Sequence, residues 1–273
     1  MTIGIKVNPL NPSAREALPL LLSSLEQHCA IRIYDGDARD EDMYVWKYSR
    51  NKEVDLLISL GGDGTMLTAG RFAFQQDVPL LGVNLGRFGF LTEISYEELP
   101  RWTPAIVQRH YSLEPRCILE GEVKGRKCIC VNDFVVKETE MIRTSRITII
   151  LDGEEFPDIP SDGIIISTPT GSTGYNLSVG GSIIHPQIRG IAISFIAPHL
   201  LTFRPLLVPP SSRIGVLLHR PGNLIVDGQF VIPLEAEHPV FFTASKQTLS
   251  IVRLKGTTFY STLQRKFQWG TGK

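Results

Sequence analysis

The chain has 273 residues, of which 42% are hydrophobic and 21% charged, and this composition is typical of one large globular domain or two smaller ones. Lys plus Arg and Asp plus Glu each number 28, so the net charge is zero and gives no electrostatic footprint for nucleic acid or an anionic membrane. No apolar run reaches about 18 residues and the start of the chain lacks a signal-peptide pattern, so we expect no membrane span. The four cysteines form no C-x-x-C pair, which predicts a reduced, cytoplasmic setting.

The first 110 residues alternate between predicted strands and helices. The predicted strands are Ile3–Val7, Ala30–Tyr34, Val54–Leu60 and Val78–Val83. The predicted helices are one capped by Ser13, a short one over 40–48, one that follows Thr65, and one over 97–110. This order is typical of an open, mostly parallel sheet with helices on both faces, which binds ligands beyond the carboxyl ends of its strands.

The stretch VDLLISLGGDGT, residues 54–65, joins a buried strand to a helix through a glycine turn. Backbone N–H groups at such a turn can face an anion at the helix N-terminus. Asp63 repels phosphate at this place unless it accepts a proton from a nucleophile or acts through a cation. The turn therefore indicates phosphoryl transfer, and a purely structural turn is the alternative. Since the chain has no Walker A string, a kinase of this kind would bind phosphate without that loop.

After residue 110 the pattern changes to strands separated by Gly, Asp and Pro turns, with one short helix near 173–179. The predicted strands are 116–123, 127–137, 146–151, 163–168, 188–196, 213–218 and 241–254. A last helix over 257–269 carries Phe259, Leu263 and Phe267 on one side, together with Tyr260 in the widest interpretation. We therefore predict an α/β phosphate-binding domain over 1–110, with 255–273 packing back on it, and a β-rich domain over 111–254.

Two further motifs place polar residues where apolar ones are expected. Asn132 and Asp133 lie within a strand-like run, where they cost free energy unless they are hydrogen-bonded. The two residues indicate either a sheet edge or β-bulge that is open to solvent, or a pair of side chains that binds a ribose or the edge of an adenine base. The string STPTGSTGYNLS, residues 167–178, follows a buried strand; Ser172 or Thr170 would cap a helix there, and Tyr175 offers a flat ring to a base.

The GGDGT string resembles the phosphate-binding signature of NAD kinases, of diacylglycerol and sphingosine-type lipid kinases and, more loosely, of phosphofructokinases. It is followed in order by ND, STPTGSTGYNLS, APHLLTFRPLLVP at 197–209 and VDGQ at 226–229. Together these motifs are similar to the prokaryotic NAD kinase family over essentially the whole chain. The PLGTGND-type segment expected of a lipid kinase is absent.

The resemblance implies transfer of the γ-phosphate of ATP, carried with Mg²⁺, to the 2′-hydroxyl of the adenosine ribose of NAD, which forms NADP. It also implies a homodimer or homotetramer that holds NAD between its domains and against a neighbouring subunit. Asp63 would be the catalytic base, Phe90 would stack on adenine, and the phosphates of ATP would lie on Gly61, Gly62, Gly64 and Thr65. The other residues that would bind NAD are Gly64, Asn132, Asp133, Arg143, Asp162, Thr170, Thr173, Gly174, Tyr175, Asn176, Leu177, Ser178 and Gln229.

The sequence departs from the family pattern at two positions. Gly174 stands where alanine is common, and Pro160 stands where members carry arginine or glycine, a position tied to the choice between NAD and NADH. Two alternatives to an NAD kinase stay open at this point. One is a lipid or sugar kinase with the same phosphate loop, and the other is a non-catalytic NAD(P) sensor.

Overall fold

The computed structural model of the chain describes residues 1–8, 11–34, 53–86, 89–139, 145–254, 256 and 258–269. The helix predicted over 40–48 lies outside the described residues. The chain divides into two compact units: the first holds the described residues up to Pro115 and those from Leu249 onward, and the second holds Arg116–Thr248. Among the described helices, none is both long and apolar enough to cross a membrane.

The first unit is an α/β fold built on parallel strands. Its elements up to Pro115 are β1 (Thr2–Val7), α1 (Pro12–Leu25), β2 (Ala30–Tyr34), β3 (Leu56–Leu60), α2 (Asp63–Gln76), β4 (Leu80–Asn84), β5 (Ile94–Ser95), a 3-10 turn (Tyr96–Glu98) and α3 (Leu99–Val107). β1 pairs in parallel with β2 and β3, β3 with β4, and β4 with β5. Every residue of β3 and β4 is buried, as expected for strands covered on both faces, so the predicted parallel sheet is confirmed.

The N-termini of the first two helices differ from the sequence prediction. Ser13 is not the cap of α1; the Asn11 side chain accepts a hydrogen bond from the Ser13 backbone N–H, with Pro12 at the first helical position. The helix after the glycine turn begins at Asp63 itself, because Gly62 is its N-cap residue. Asp63 therefore belongs to the first turn of α2.

The second unit consists mostly of antiparallel strands. These are β6 (Ser112–Val123, which begins in the first unit), β7 (Arg126–Cys130), β8 (Asp133–Glu138), β9 (Arg146–Leu151), β10 (Glu154–Pro160), β11 (Gly163–Ser167), β12 (Ile191–Ile196), β13 (Leu206–Val208), β14 (Ile214–Leu218), β15 (Gly222–Val226), β16 (Phe230–Leu234) and β17 (Val240–Arg253). One sheet has the order β13-β12-β11-β8-β15-β16. A second set of strands runs β10-β9-β14-β17, and β6 forms a hairpin with β7. The Phe134 and Phe242 ring centroids lie 5.0 Å apart and join these two layers in one core.

Three features of the second unit correct the sequence prediction. The single strand predicted over 127–137 is two strands, β7 and β8, with Val131 and Asn132 in the break. The short helix near 173–179 is a 3-10 turn (Gly171–Thr173) followed by α4 (Tyr175–Ser178). β10, β13, β15 and β16 were not predicted. Most residues of β10 and β13 are exposed, and β13 has only three residues; β15 and β16 are short strands joined by a turn.

The end of the chain returns to the first unit. Ile251 of β17 pairs in parallel with Leu80 of β4. The last helix is α5 (Phe259–Phe267), capped by Thr258. The Phe267 ring centroid lies 5.8 Å from that of Phe90, so α5 contacts this unit as predicted, whereas Tyr260 is 65% exposed and is not part of the packed side.

Candidate functional site

The glycine turn of the first unit lies where β3 ends and α2 begins. The Gly61 N–H donates to the Val83 carbonyl oxygen at 2.9 Å, which ties the turn to the end of β4. A Cβ at Gly61 would lie 2.7 Å from the Thr65 Cβ, whereas a Cβ at Gly62 would meet nothing within 4 Å. The turn is thus compact on one side and open on the other, at the positive end of a 14-residue helix. This is the geometry of an anion site.

The Asp63 carboxylate is held by the backbone of the loop that follows β4. Phe90 N–H donates to Asp63 Oδ2 at 3.0 Å and Leu91 N–H donates to Asp63 Oδ1 at 3.1 Å. A Cβ at Gly89 would overlap this carboxylate, so the close approach requires glycine. Each carboxylate oxygen has a second lone pair, so the group can still accept a proton from a substrate. Phe90 itself packs on Phe267.

In the second unit, the structure brings together the polar pair at 132–133 and the turn after β11. The register pairs Ser167 with Asp133, and Thr168 N–H donates to the Asn132 carbonyl oxygen at 2.8 Å. Gly171 approaches that carbonyl so closely that a Cβ would overlap it. A Cβ at Gly174 would lie 3.6 Å from Asn132 Nδ2 and 3.9 Å from Asp133 Oδ2, so both side chains face the turn.

Asp227 holds the backbone of the polar pair in place, a role that the sequence analysis did not predict. Its Oδ1 accepts hydrogen bonds from the backbone N–H groups of Val131, Asn132 and Asp133, at 3.1, 2.7 and 3.3 Å. Its own backbone has a φ of 50°, in the left-handed region. A signal for it was present, because an Asp-Gly pair between two apolar runs predicts a turn, and turn aspartates bind nearby backbone N–H groups.

Asp133 lies in an environment that disfavours its charge. Burial, and to a lesser extent the nearby charge of Asp227, raise the pKa of its carboxyl to about 7. Neither its carboxylate nor the Asn132 amide hydrogen-bonds another residue of the described part of the chain. Both side chains therefore retain hydrogen-bonding capacity toward a ligand at Gly174.

The turn over 170–178 presents some of its side chains and uses others inside the fold. Thr170 is buried and its Oγ1 accepts a hydrogen bond from Arg116 Nη1 at 3.3 Å. Thr173 and Leu177 are half-buried and Ser178 is exposed. Tyr175 is 44% exposed, so its ring is available to a ligand.

Asn176 and Ser172 are interior residues. The Asn176 amide is fully buried, donates to the Ser172 and Ser182 carbonyl oxygens, and accepts from Ser194 Oγ at 2.7 Å. Ser172 Oγ donates to the Pro169 carbonyl oxygen at 2.7 Å. Thr170 is the N-cap residue of the 3-10 turn but makes no side-chain capping hydrogen bond, and the N-cap residue of α4 is Gly174, so the predicted side-chain cap is not formed. The Asn176 side chain is thus hydrogen-bonded within the fold.

The remaining predicted site residues lie at different places. Gln229 and Asp227 both lie in the turn between β15 and β16. Because the Asp227 N–H donates to the Asp133 carbonyl oxygen at 2.9 Å, Gln229 lies near the polar pair. Asp162 precedes β11 and is separated from Thr168 by the length of that strand, about 20 Å. Arg143 lies outside the described residues.

No three His, Cys, Asp or Glu side chains converge on a possible metal position in the part of the chain that the structure describes. A Mg²⁺ ion typically keeps several waters and binds one or two carboxylates together with substrate phosphates.

The fold and the site together define a class of protein. A fixed carboxylate in a glycine turn at a helix N-terminus, without a Walker A string, indicates a kinase with a glycine-only phosphate loop. Family models agree with this class: the ATP-NAD kinase N-terminal domain matches residues 3–111 and the ATP-NAD kinase C-terminal domain matches residues 131–254.

Known NAD kinases are similar to the chain over most of their length. It is 38% identical over 221 residues to the NAD kinase of Moorella thermoacetica, covering 78% of this chain and 71% of that protein. It is 31% identical over 280 residues to the NAD kinase of Chloroherpeton thalassium, covering 99% of this chain and 98% of that protein. The chain therefore belongs to the NAD kinase family, and it is an enzyme that transfers phosphate to NAD.

Two solved structures share the fold. Yeast NADH kinase, complexed with NADH, has a TM-score of 0.83 at 24% identity, over 100% of this chain and 89% of that one. An NAD kinase from Archaeoglobus fulgidus, in complex with ATP, has a TM-score of 0.77 at 22% identity, over 98% of this chain and 99% of that one. The predicted combination of an α/β domain with a predominantly β domain is thus confirmed.

Proposed function

We propose that the protein transfers the γ-phosphate of ATP to the 2′-hydroxyl of the adenosine ribose of NAD, forming NADP. The observation that carries this proposal is the Asp63 carboxylate, fixed by the Phe90 and Leu91 N–H groups at the N-terminus of α2. Neither a lipid or sugar kinase nor a non-catalytic sensor is supported, because matches to NAD kinases extend over both domains.

In this reaction Asp63 accepts the proton of the 2′-hydroxyl as the hydroxyl oxygen attacks the γ-phosphorus. The bond from the γ-phosphorus to the bridging oxygen of the β-phosphate breaks, and ADP leaves. Backbone N–H groups of Gly62, Gly64 and Thr65 bind the phosphates of ATP and offset their charge, while Gly61, whose own N–H donates to the Val83 carbonyl oxygen, shapes the turn. Mg²⁺ carried on those phosphates supplies further charge neutralisation. Fixing the base in advance matters, because an oriented proton acceptor loses no rotational freedom when the substrate reacts.

The second unit supplies the dinucleotide-binding side chains. Asn132 and Asp133 bind the adenosine portion, and both face Gly174 with hydrogen-bonding capacity available. The Tyr175 ring packs on the dinucleotide. Thr170, Thr173, Leu177, Ser178 and Gln229 line the same region, whereas Asn176 shapes the turn from inside.

We also propose that the enzyme is a homodimer or homotetramer in which Asp162 serves the NAD site of another copy. Asp162 lies at the far end of β11 from the polar pair. Its neighbour Pro160 accepts a hydrogen bond from the His199 N–H, and the next residues, Leu200 and Leu201, are 51% and 81% exposed. Exposed apolar side chains beside Asp162 suit a subunit interface.

A cytoplasmic location is part of the proposal, since all four cysteines are free.

The test is an assay of the purified protein with ATP, Mg²⁺ and either NAD or NADH, with the product separated and its phosphate position determined by phosphorus NMR. We expect a phosphate on the 2′-oxygen of the adenosine ribose, formed only when ATP is present. A phosphate at any other position, or no phosphorylated dinucleotide, would contradict the proposal. The ratio of rates with NAD and NADH then settles the preference that Pro160 leaves open.

A further inference from the structure

The loop over 89–93, called here the Asp63 loop, fixes the orientation of the Asp63 carboxylate. Its Phe90 and Leu91 N–H groups bind the two carboxylate oxygens. The loop is closed on itself by the Gly89 N–H, which donates to Thr92 Oγ1 at 3.1 Å. A displacement of this loop would therefore move both hydrogen-bond donors of Asp63 together.

Glu93 anchors the far end of this loop to the last residues of β17. Its side chain is 1% exposed. Glu93 Oε2 accepts from Arg253 Nη1 at 2.8 Å, and Glu93 Oε1 accepts from the Leu254 N–H at 3.0 Å. Its own N–H donates to the Gly82 carbonyl oxygen at 2.9 Å, which joins the anchor to β4.

Arg253 is itself held in place from a second side. Its Nε donates to Glu114 Oε2 at 3.1 Å and its Nη2 donates to Glu114 Oε1 at 3.3 Å. The Arg253 side chain is only 17% exposed. Its planar guanidinium therefore bridges two carboxylates where solvent has little access. Because β17 pairs with β4, Arg253 is a rigid point to which the loop can be tied.

We propose that Glu93 and Arg253 are positioning residues for Asp63, so that the end of the chain fixes the orientation of the catalytic base. The proposal rests on the proposed role of Asp63 as the base. The path is short and lies entirely in the first unit: Arg253 binds Glu93, Glu93 ends the loop, and the loop binds Asp63. The Phe90–Phe267 contact ties the same loop to α5.

This arrangement should affect turnover more than substrate binding. A displacement of about 1 Å in a reacting group can cost up to about a hundredfold in rate. Asn132 and Asp133, the side chains proposed to hydrogen-bond the adenosine portion, belong to the second unit, and the Phe90 ring packs on Phe267, so we expect NAD affinity to depend little on the anchor. A role in holding the fold alone would instead lower stability and leave turnover of the folded enzyme unchanged.

The test compares Glu93→Gln, Arg253→Met and Arg253→Lys in the full chain. For Glu93→Gln and Arg253→Met we expect kcat to fall by about tenfold or more, with the Kd for NAD within about twofold of the parent. Arg253→Lys keeps the charge but loses the fork, so it should recover part of the lost kcat. If Arg253→Met does not fold, Glu93→Gln and Arg253→Lys still decide the outcome.

A double-mutant cycle with Asp63→Asn separates this proposal from the proposed function. If Glu93 acts through Asp63, adding Glu93→Gln to Asp63→Asn should lower kcat by less than about twofold. An equal loss in both backgrounds would overturn the positioning role while leaving Asp63 as the base. A kcat unaffected by Asp63→Asn alone would overturn the base itself.

Asp55→Asn is a matched control in the same unit. Like Glu93, Asp55 accepts one backbone N–H, from Thr2 at 2.7 Å, and one arginine, Arg109 Nη2 at 2.9 Å. It precedes β3, however, at the opposite end of that strand from Asp63. We expect a kcat within about twofold of the parent. A tenfold loss here as well would show that any ion pair of this unit affects turnover and would overturn the specific role.

Discussion

The two glycine-rich turns of the molecule begin alike and are built differently. Each follows a fully buried five-residue strand, β3 or β11, and each opens a helix. The first turn opens the 14-residue helix α2. The second opens a 3-10 turn followed by the four-residue α4. Hydroxyl groups of this second turn are hydrogen-bonded inside the fold; Thr168 Oγ1, for example, donates to the Val131 carbonyl oxygen at 2.6 Å.

This difference separates two kinds of binding. A long helix with an open glycine at its start attracts negative charge without any side chain, so the first turn suits the phosphates of ATP. The second turn has no long helix behind it. Its internal hydrogen bonds instead make a rigid wall that presents Tyr175 and faces Asn132 and Asp133. Under the proposed function, the first turn would therefore serve the chemistry and the second the recognition of NAD.

Gly89→Ala should break the chemical side of this comparison. A Cβ there would overlap the Asp63 carboxylate, so the base would have to move. We expect kcat to fall by at least about a hundredfold, a typical effect of losing a general base, with the Kd for NAD little changed in calorimetric titration. Gly256→Ala, where a Cβ meets nothing within 4 Å, is the control. A Gly89→Ala enzyme with parental kcat would show that the carboxylate need not occupy this position.

Asn132→Ala should break the recognition side. The loss of one hydrogen bond of about 1.5 kcal/mol predicts a rise in the KM for NAD of about tenfold, with the KM for ATP unchanged. Asn223→Ala is a matched control in the same unit. Asn223 lies on β15, and its Nδ2 donates to Thr139 Oγ1 at 3.3 Å. An unchanged KM together with lower thermal stability would mean that Asn132 serves the fold alone.

Substitutions at Tyr175 sharpen the same distinction. If the ring face makes the contact with the dinucleotide, Tyr175→Phe should change the Kd for NAD by less than about twofold, whereas Tyr175→Ala should raise it by about fivefold. The measurement is calorimetric titration with NAD. Equal effects of the two substitutions would indicate that the hydroxyl, or neither part, contacts the dinucleotide.

The smallest expected effect concerns pH and Asp133. Burial and the nearby charge of Asp227 raise the pKa of the folded-state carboxyl to about 7, so the folded chain binds this proton more tightly than the unfolded chain. The free energy of unfolding should therefore fall as pH rises from about 4 to about 7. In urea denaturation, the free energy of unfolding of Asp133→Asn should depend less on pH than that of the parent, and at pH 8 it should be higher than that of the parent. An identical slope in parent and variant would contradict the assigned burial.

The fold was predictable from sequence where burial is continuous. The apolar runs at β3 and β4 identified the parallel sheet, because a strand buried on both faces leaves an unmistakable pattern. β10 could not be found this way, since most of its residues are exposed and its pattern resembles a loop. The break between β7 and β8 was also hidden, because its backbone N–H groups donate to Asp227, nearly a hundred positions later in the chain.

The site shows the same limit. Motif order led to the prediction of Asp63 and Asn132 as site residues, because their strings are local. The prediction of Ser172 as a helix cap failed, because its hydroxyl group is hydrogen-bonded within the fold. Glu93 and Arg253 gave no local signal, since their contact joins residues 160 positions apart. Partners of this kind become visible only when the tertiary structure is known.

The most direct test of the account is Asp63→Asn, measured as single-turnover formation of NADP alongside calorimetric binding of NAD. Asparagine keeps the size of the side chain and can still accept the N–H of Phe90 or Leu91, but it does not take up the 2′-hydroxyl proton. We predict that the Kd for NAD stays within about threefold of the parent and that the rate falls by at least about a hundredfold. A rate within a fewfold of the parent would contradict the assignment of Asp63 as the base.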